Sequence, residues 1–375
     1  MGQSPSSKNY SKNSNDTILI QGNADLIRGK IVPRIYTSEI TKLSYPGDII
    51  LTVRAPVGDL AINEFDSCIG RGVCSIKGNK FIYYYLESLK DKHVWERLSQ
   101  GSTFESINSN DIKNLNLKIP SNSTQNHIIN FLTAIDTKIE LLQKKHSEYL
   151  RFKQYLMQNI FADKSAEKLR FDFNDDWQDH TFKELLIEVN EKTTVNNQHE
   201  ILSSTKEGIF TQKEYFANRN VASKDNTGYK ILRKNQIVLS PQNLWMGNIN
   251  VNTEFEIGIV SPSYKIYETT DLIEIDYFKH IIKLPRLIYE YKCASEQGAS
   301  IVRRNLNKQL FDEITISIPS LKEQQKIGNM LTLIDKKITE TSKQIDESKE
   351  FKKGLLQQMF DNMLFKNIIY KLFLN

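Results

Sequence analysis

Cysteine is scarce in this 375-residue chain: Cys68, Cys74 and Cys293 fit no CxxC spacing and leave an odd thiol. That excludes a disulfide framework and points to a reducing, cytoplasmic setting. The six histidines are scattered without metal-ligand spacing, so no metal site is assigned. Long apolar runs are missing as well. The opening MGQSPSSKNYSKNSND has no apolar core of the kind a signal peptide needs. The tail MLFKNIIYKLFLN is apolar, but its run of about 13 residues with two lysines falls short of the roughly 20 that a membrane span requires. A soluble chain with no membrane partner is expected. Catalytic signatures are absent too. There is no Asn-Pro-Pro-Tyr motif and no glycine-rich strand-to-helix loop for a methyl donor, and Gly70 and Gly72 suit a tight turn better than a phosphate cradle. The triplet Glu290-Tyr291-Lys292 has the E-x-K spacing of some nucleases, but no Pro-Asp stands upstream. No catalytic residue is assigned.

What is present is an ordinary globular composition, 25% charged and 39% hydrophobic, with length for two or three domains. The excess of 50 Lys and Arg over 45 Asp and Glu permits a polyanionic partner without demanding one. The strongest signal is a repeat. IPSNSTQNHIINFLTAIDTKI at residue 119 returns as IPSLKEQQKIGNMLTLIDKKI at residue 318. Aligned without a gap, residues 118–161 and 317–360 agree at about 19 of 44 positions.

Each copy carries an apolar stripe at helical spacing. In the first it runs Ile128, Leu132, Ile135, Ile139, Leu142, Tyr149 and Leu156. In the second it runs Ile327, Leu331, Ile334, Ile338, Ile345 and Leu355, with Thr341 and Ser348 weakening its middle. The spacing predicts two helices of about 36 residues, each roughly 54 Å long. Matching heptad stripes in one chain favour pairing with each other, and connectivity leaves parallel and antiparallel both open. His146, Lys153 and Thr341, at or beside the seam, would tune register. Ser320 and Glu323 make a capping box for the second helix. Asp136 and Asp335 recur in both copies, and their helical setting points to a partner contact or a solvated face rather than acid-base chemistry.

Around the helices the halves repeat more loosely. Each has strand, turn, strand and helix, then Gln-Gly and two small residues, then a strand ending in Ile-Pro. Strands are expected at 48–54, 69–77, 114–119, 236–240, 257–266 and 314–318, and helices at 80–98 and 273–293. The domains expected are 1–118, the helix of 119–161, a polar linker at 162–176, 177–317, the helix of 318–360 and an apolar tail at 361–375. Side chains suited to phosphate oxygens or base edges are Gln3, Ser4, Ser6, Arg34, Arg54, Arg71, Lys77, Ser102 and Thr103 in the first half. In the second they are Lys213, Lys224, Gln242, Asn243, Lys265, Ser300, Arg303 and Arg304, of which the adjacent Arg303-Arg304, just after Gly298-Ala299-Ser300, is the foremost candidate for a phosphate contact. Trp245 could stack on a base, but packing in a core or loop is the expectation.

The whole chain resembles the specificity subunit of type I restriction-modification systems. The resemblance rests on Gly2-Gln3-Ser4-Pro5-Ser6, Gly47-Asp48, Arg54-Ala55-Pro56-Val57-Gly58, Gly70-Arg71-Gly72, Gly101-Ser102-Thr103-Phe104 and the two Ile-Pro to Ile-Asp-x-Lys-Ile runs. It implies an α+β fold: two target-recognition domains, separated by two long helices packed as an antiparallel coiled coil. It also implies a non-catalytic scaffold that binds double-stranded DNA and docks two adenine methyltransferase subunits and translocating endonuclease subunits. S-adenosylmethionine, ATP and Mg would belong to those partners and not to this chain. A Trp-led opening segment, 177–194, precedes only the second domain, so by the family pattern the first looks shortened at its start. A stand-alone DNA-binding regulator and a coiled-coil protein adaptor remain as alternatives.

Overall fold

The structure, a computed structural model, describes residues 1–99, 106–115, 117–162, 169–216, 225–297 and 304–360. The chain divides into two compact units. One combines residues 1–146 with 340 onward; the other is the uninterrupted stretch 147–339. Both draw on the two long helices, Asn122–Ile160 and Leu321–Phe360. In the first unit Ile128, Leu132 and Ile135 of the first long helix pack on Leu355, Leu356 and Met359 of the second, together with Phe81 and Tyr84. In the second unit Leu156 and Ile160 share a core with Ile327, Leu331 and Ile334. The start of one helix therefore meets the end of the other in both units, and the coil is antiparallel. Each such leucine or isoleucine removed from water contributes about 1.5–3 kcal/mol, which is why the heptad stripe rather than helix propensity holds the pair. Ile139, Leu142, Tyr149 and Ile338 are only half-buried, whereas the polar Thr341 and Ser348 are buried.

The repeat also reproduces its polar contacts. Gln125 and Gln324 each donate through Nε2 to the carbonyl of the proline five residues earlier, Pro120 at 3.0 Å and Pro319 at 2.9 Å. Asp136 pairs with Lys352 at 2.7 Å and accepts from the Tyr84 hydroxyl at 2.8 Å. Asp335 pairs with Lys153 at 2.5 Å and faces His280 Nδ1 at 3.6 Å. These two aspartates thus bind the opposite helix through lysines that are themselves repeat equivalents. Glu323, read from sequence as part of a cap, is fully buried and accepts from Arg170 at 2.8 and 2.9 Å. Arg170 lies in the segment expected to be only a linker.

In the first unit β1 (Ile49–Thr52) pairs antiparallel with both β2 (Leu60–Ile62) and β3 (Val73–Ile76). In the second unit β4 (Gln178–Thr181) and β5 (Leu186–Val189) come from the Trp177-led segment. There β6 (Ile237–Leu239) pairs with β7 (Ile249–Val251) and β8 (Lys265–Thr269), repeating the first arrangement. The entry to the central strand is copied in detail. Gly47 takes a left-handed φ of 92° and donates to the Asn63 carbonyl; Asn235, at φ 64°, donates to the Asn252 carbonyl. Glycine or asparagine is what that conformation favours.

Beyond this core the units differ. In the second, β5 covers the outer edge of β8, and β4 pairs with β9 (Thr315–Ile318). Among the described residues of the first unit, no strand pairs with the outer edge of β3. The segment 114–119, expected as a strand, forms none among its described residues, and no described strand lies beside it as β4 lies beside β9. The expected helix at 80–98 breaks at His93, which has a φ of 53°; the one at 273–293 breaks before Pro285, which starts a new helix.

Candidate nucleic-acid interface

In the first unit, candidate residues gather where β1 ends. Val53 donates to the Gly72 carbonyl at 2.9 Å and accepts from Ile107 at 3.0 Å, which brings the exposed Arg54 beside the 70–72 turn and next to Ser106. The N-terminal strip lies along the same turn: Gly2 donates to the Val73 carbonyl, Gln3 to that of Ile69, and Ser4 Oγ accepts from the Arg71 backbone at 3.1 Å. A Cβ on Gly2 would collide with the Gly70 carbonyl, so this close approach needs glycine. Gln3, Ser4, Arg54 and Arg71 therefore share one edge, and neither arginine has a carboxylate partner among the described residues.

The remaining candidates of this half lie elsewhere. Arg34 pairs with the buried Asp25 at 2.9 Å, which spends its charge internally. Ser6 donates its backbone N–H to Glu39 at 2.9 Å. Lys77 follows the opposite end of β3, near Asp48. Burial opposes the Asp48 charge, but hydrogen bonds from Tyr45 N–H, Ser75 and Ser44 outweigh it and hold the carboxyl below its ordinary range. Asp48 therefore serves the fold rather than the surface. Ser102 and Thr103 lie outside the described residues.

In the second unit the corresponding place follows β6. Gln242 is exposed, and its carbonyl accepts from Arg304 N–H at 3.2 Å. Asn243 heads the short turn Leu244–Met246, with no cap bond from its side chain. The Arg304 guanidinium carbon lies 4.6 Å from the centre of the Trp245 ring, a cation–π contact within the half-buried turn that carries Trp245. Nothing local in the sequence signals it, since 59 residues separate the two. Lys265 pairs with Glu188 at 2.7 Å. Lys213 is exposed on the turn Gln212–Tyr215, apart from this group. Lys224, Ser300 and Arg303 lie outside the described residues.

Among the described residues there is no cluster of His, Cys, Asp and Glu that could hold a metal. Nor is any helix long and apolar enough to cross a membrane. What the two edges offer, among the described residues, is arginine without a carboxylate partner, together with glutamine, near the ends of the equivalent strands β1 and β6.

Comparison with known proteins agrees with this duplicated arrangement. The family model for the type I restriction modification DNA specificity domain matches residues 2–149 and again 174–348. A chain of Methanocaldococcus jannaschii named as the type I restriction enzyme MjaX specificity subunit is 36% identical over 176 residues, which span 45% of this chain and 40% of that relative. A type I specificity subunit of Mycoplasma genitalium is 22% identical over 289 residues, 76% of this chain and 71% of that one. In fold, the crystal structure of an M. genitalium type I restriction-modification S subunit covers 96% of this chain and 93% of its own, with a TM-score of 0.62 at 20% identity.

Proposed function

Because the chain belongs to the family of type I restriction-modification DNA specificity proteins, we propose that it is the sequence-recognition subunit of such a complex. It is the non-catalytic member: it chooses the DNA site, and partner subunits act there. The observation that carries this reading is the pair of matching edges. Arg54, with Gln3 and Arg71 beside it, stands at one, and Gln242, with Arg304 beside it, at the other; Arg54 and Gln242 follow equivalent strands but differ in side chain. Arginine and glutamine are the side chains suited to bidentate pairing with guanine and adenine. Two unlike readers in one chain fit a bipartite, asymmetric target. The partners are double-stranded DNA, two adenine methyltransferase subunits, which bring S-adenosylmethionine, and translocating endonuclease subunits, which bring ATP and Mg. The setting is the cytoplasm.

The test is to exchange residues 177–316 for those of a relative and to sequence the methylome of cells carrying the hybrid with its partners. The expected result is one altered half of the target and one unchanged half. Simultaneous change of both halves would overturn the assignment of one reader to each domain. A salt-independent lack of duplex binding by the assembled complex would leave a protein adaptor as the better reading.

A further inference from the structure

The arginine stacked on Trp245 does not behave like the paired arginines of this chain. Arg34, Arg170 and Arg233 each meet a carboxylate, on Asp25, Glu323 and Glu191. Arg304 meets an indole face instead, its guanidinium carbon 4.6 Å from the ring centre, and has no carboxylate partner among the described residues. Its Nε is shielded from solvent without a hydrogen-bond partner among the described residues. Its backbone is held on two sides: the strand Arg304–Leu306 pairs with Ser295–Gln297, and its N–H reaches the Gln242 carbonyl.

The platform beneath is equally fixed. Leu244 is fully buried, and Gly247 closes the turn at a left-handed φ of 85°. A Cβ on Gly247 would come within 2.9 Å of Ile288. The next residue, Asn248, is buried; it accepts from Ser204 Oγ at 2.8 Å and donates to the Ser204 carbonyl at 2.9 Å. Trp245 thus stands on a turn anchored on both flanks.

We propose that Arg304 reads a guanine in the half-site of the second domain, and that Trp245 is the positioning residue that presets the guanidinium plane. This rests on the DNA-recognition reading above. The chemistry favours a base over a phosphate. A phosphate oxygen can be gripped by a mobile cation from many directions, whereas guanine O6 and N7 accept two parallel N–H donors lying in the plane of the base. Fixing the plane before binding helps only the second task, because it removes an ordering cost from an interaction that has a single geometry.

The experiment uses the full chain assembled with its methyltransferase partner. It selects bound sites from a randomised duplex library at two salt concentrations, for the native chain and for Arg304→Lys, Trp245→Leu and Trp245→Phe. The native complex should demand guanine at one position of one half-site. Arg304→Lys keeps the charge and loses the fork, so it should relax that position about tenfold to a hundredfold and leave every other position unchanged. Trp245→Leu should relax the same position, and Trp245→Phe, which keeps an aromatic face, should restore it. A uniform loss of affinity with unchanged sequence preference would make Arg304 a phosphate contact and overturn the proposal. So would a native half-site without guanine, or a preference that Trp245→Leu leaves intact. If the native complex selects no sequence at all, it is the reading of the chain as a specificity subunit that fails.

Discussion

Replacing Lys352 by methionine tests how far the two halves of the coil are alike in energy as well as in pattern. Lys352 Nζ lies 2.7 Å from both Glu87 and Asp136, with its side chain only 12% exposed. Its repeat counterpart Lys153 pairs with Asp335 at 2.5 Å but is 31% exposed, and that aspartate is 39% exposed. Burial would lower the Lys352 pKa, but Glu87 and Asp136 outweigh it and hold it above the ordinary lysine value. Methionine keeps the packing of the stem and removes the charge, which leaves the half-buried Glu87 beside Asp136 with no cation. Breaking a fully buried pair in this way costs about 3–5 kcal/mol, and the partial exposure of both Glu87 and Asp136 puts the expectation at or below about 3 kcal/mol. Lys153→Met, at a half-exposed pair, should cost about 0.5–1 kcal/mol.

Urea titration of the two variants against the parent reads the difference directly. Its pH dependence gives a second check. Burial already raises the Glu87 pKa, and losing Lys352 raises it further. The folded variant then retains a proton that the unfolded chain releases. Its deficit should therefore shrink as pH falls from about 7.5 towards the ordinary carboxylate range. The double change Lys352→Met with Glu87→Leu should recover most of the loss. Equal costs for the two lysines, or a Lys352→Met deficit that grows on acidification, would refute the reasoning.

Burial pushes His280 down to about 4, against the pull of Asp335, so it is neutral in the fold at neutral pH and charges more readily when unfolded. Its share of stability should be present above the ordinary value of 6.5 and lost as pH falls towards 4, and thermal midpoints of His280→Gln across that window should fall less steeply than those of the parent. Asn235→Ala, at a φ of 64°, should cost about 1–2 kcal/mol in chemical denaturation, while Asn235→Gly should be near neutral. Leu331→Ala removes a fully buried seam residue and should cost about 2–5 kcal/mol by the same measurement. Ile135→Lys puts a charge into the seam and should abolish co-purification with the proposed methyltransferase partner; undiminished recovery would separate docking from helix pairing.

The existence of the two helices is written in the sequence, because a heptad stripe needs only its own residues to be recognised. Their direction is not, since two matching stripes can pair either way. What decides is contact between opposite ends, such as Lys153 with Asp335 and Lys352 with Asp136. Segment 114–119 marks another limit. It alternates like 314–318, but a strand is a property of a pair, and the strand that covers 315–318 has no described counterpart in the first unit. For the candidate interface, residue type flagged Arg34, Lys265 and Arg304 alike. Only the fold reveals that Asp25 and Glu188 neutralise the first two and that an indole holds the third.

The division of the chain gives the two units different histories on the ribosome. The second unit is one unbroken stretch, 147–339, whereas the first needs Leu355, Leu356 and Met359 to close the core begun by Ile128 and Leu132. Synthesis therefore delivers every residue of the second unit before the last residues of the first. Of the two units, the one begun earlier is the one completed later, because its core closes only after about 200 further residues have emerged at about 5–20 per second.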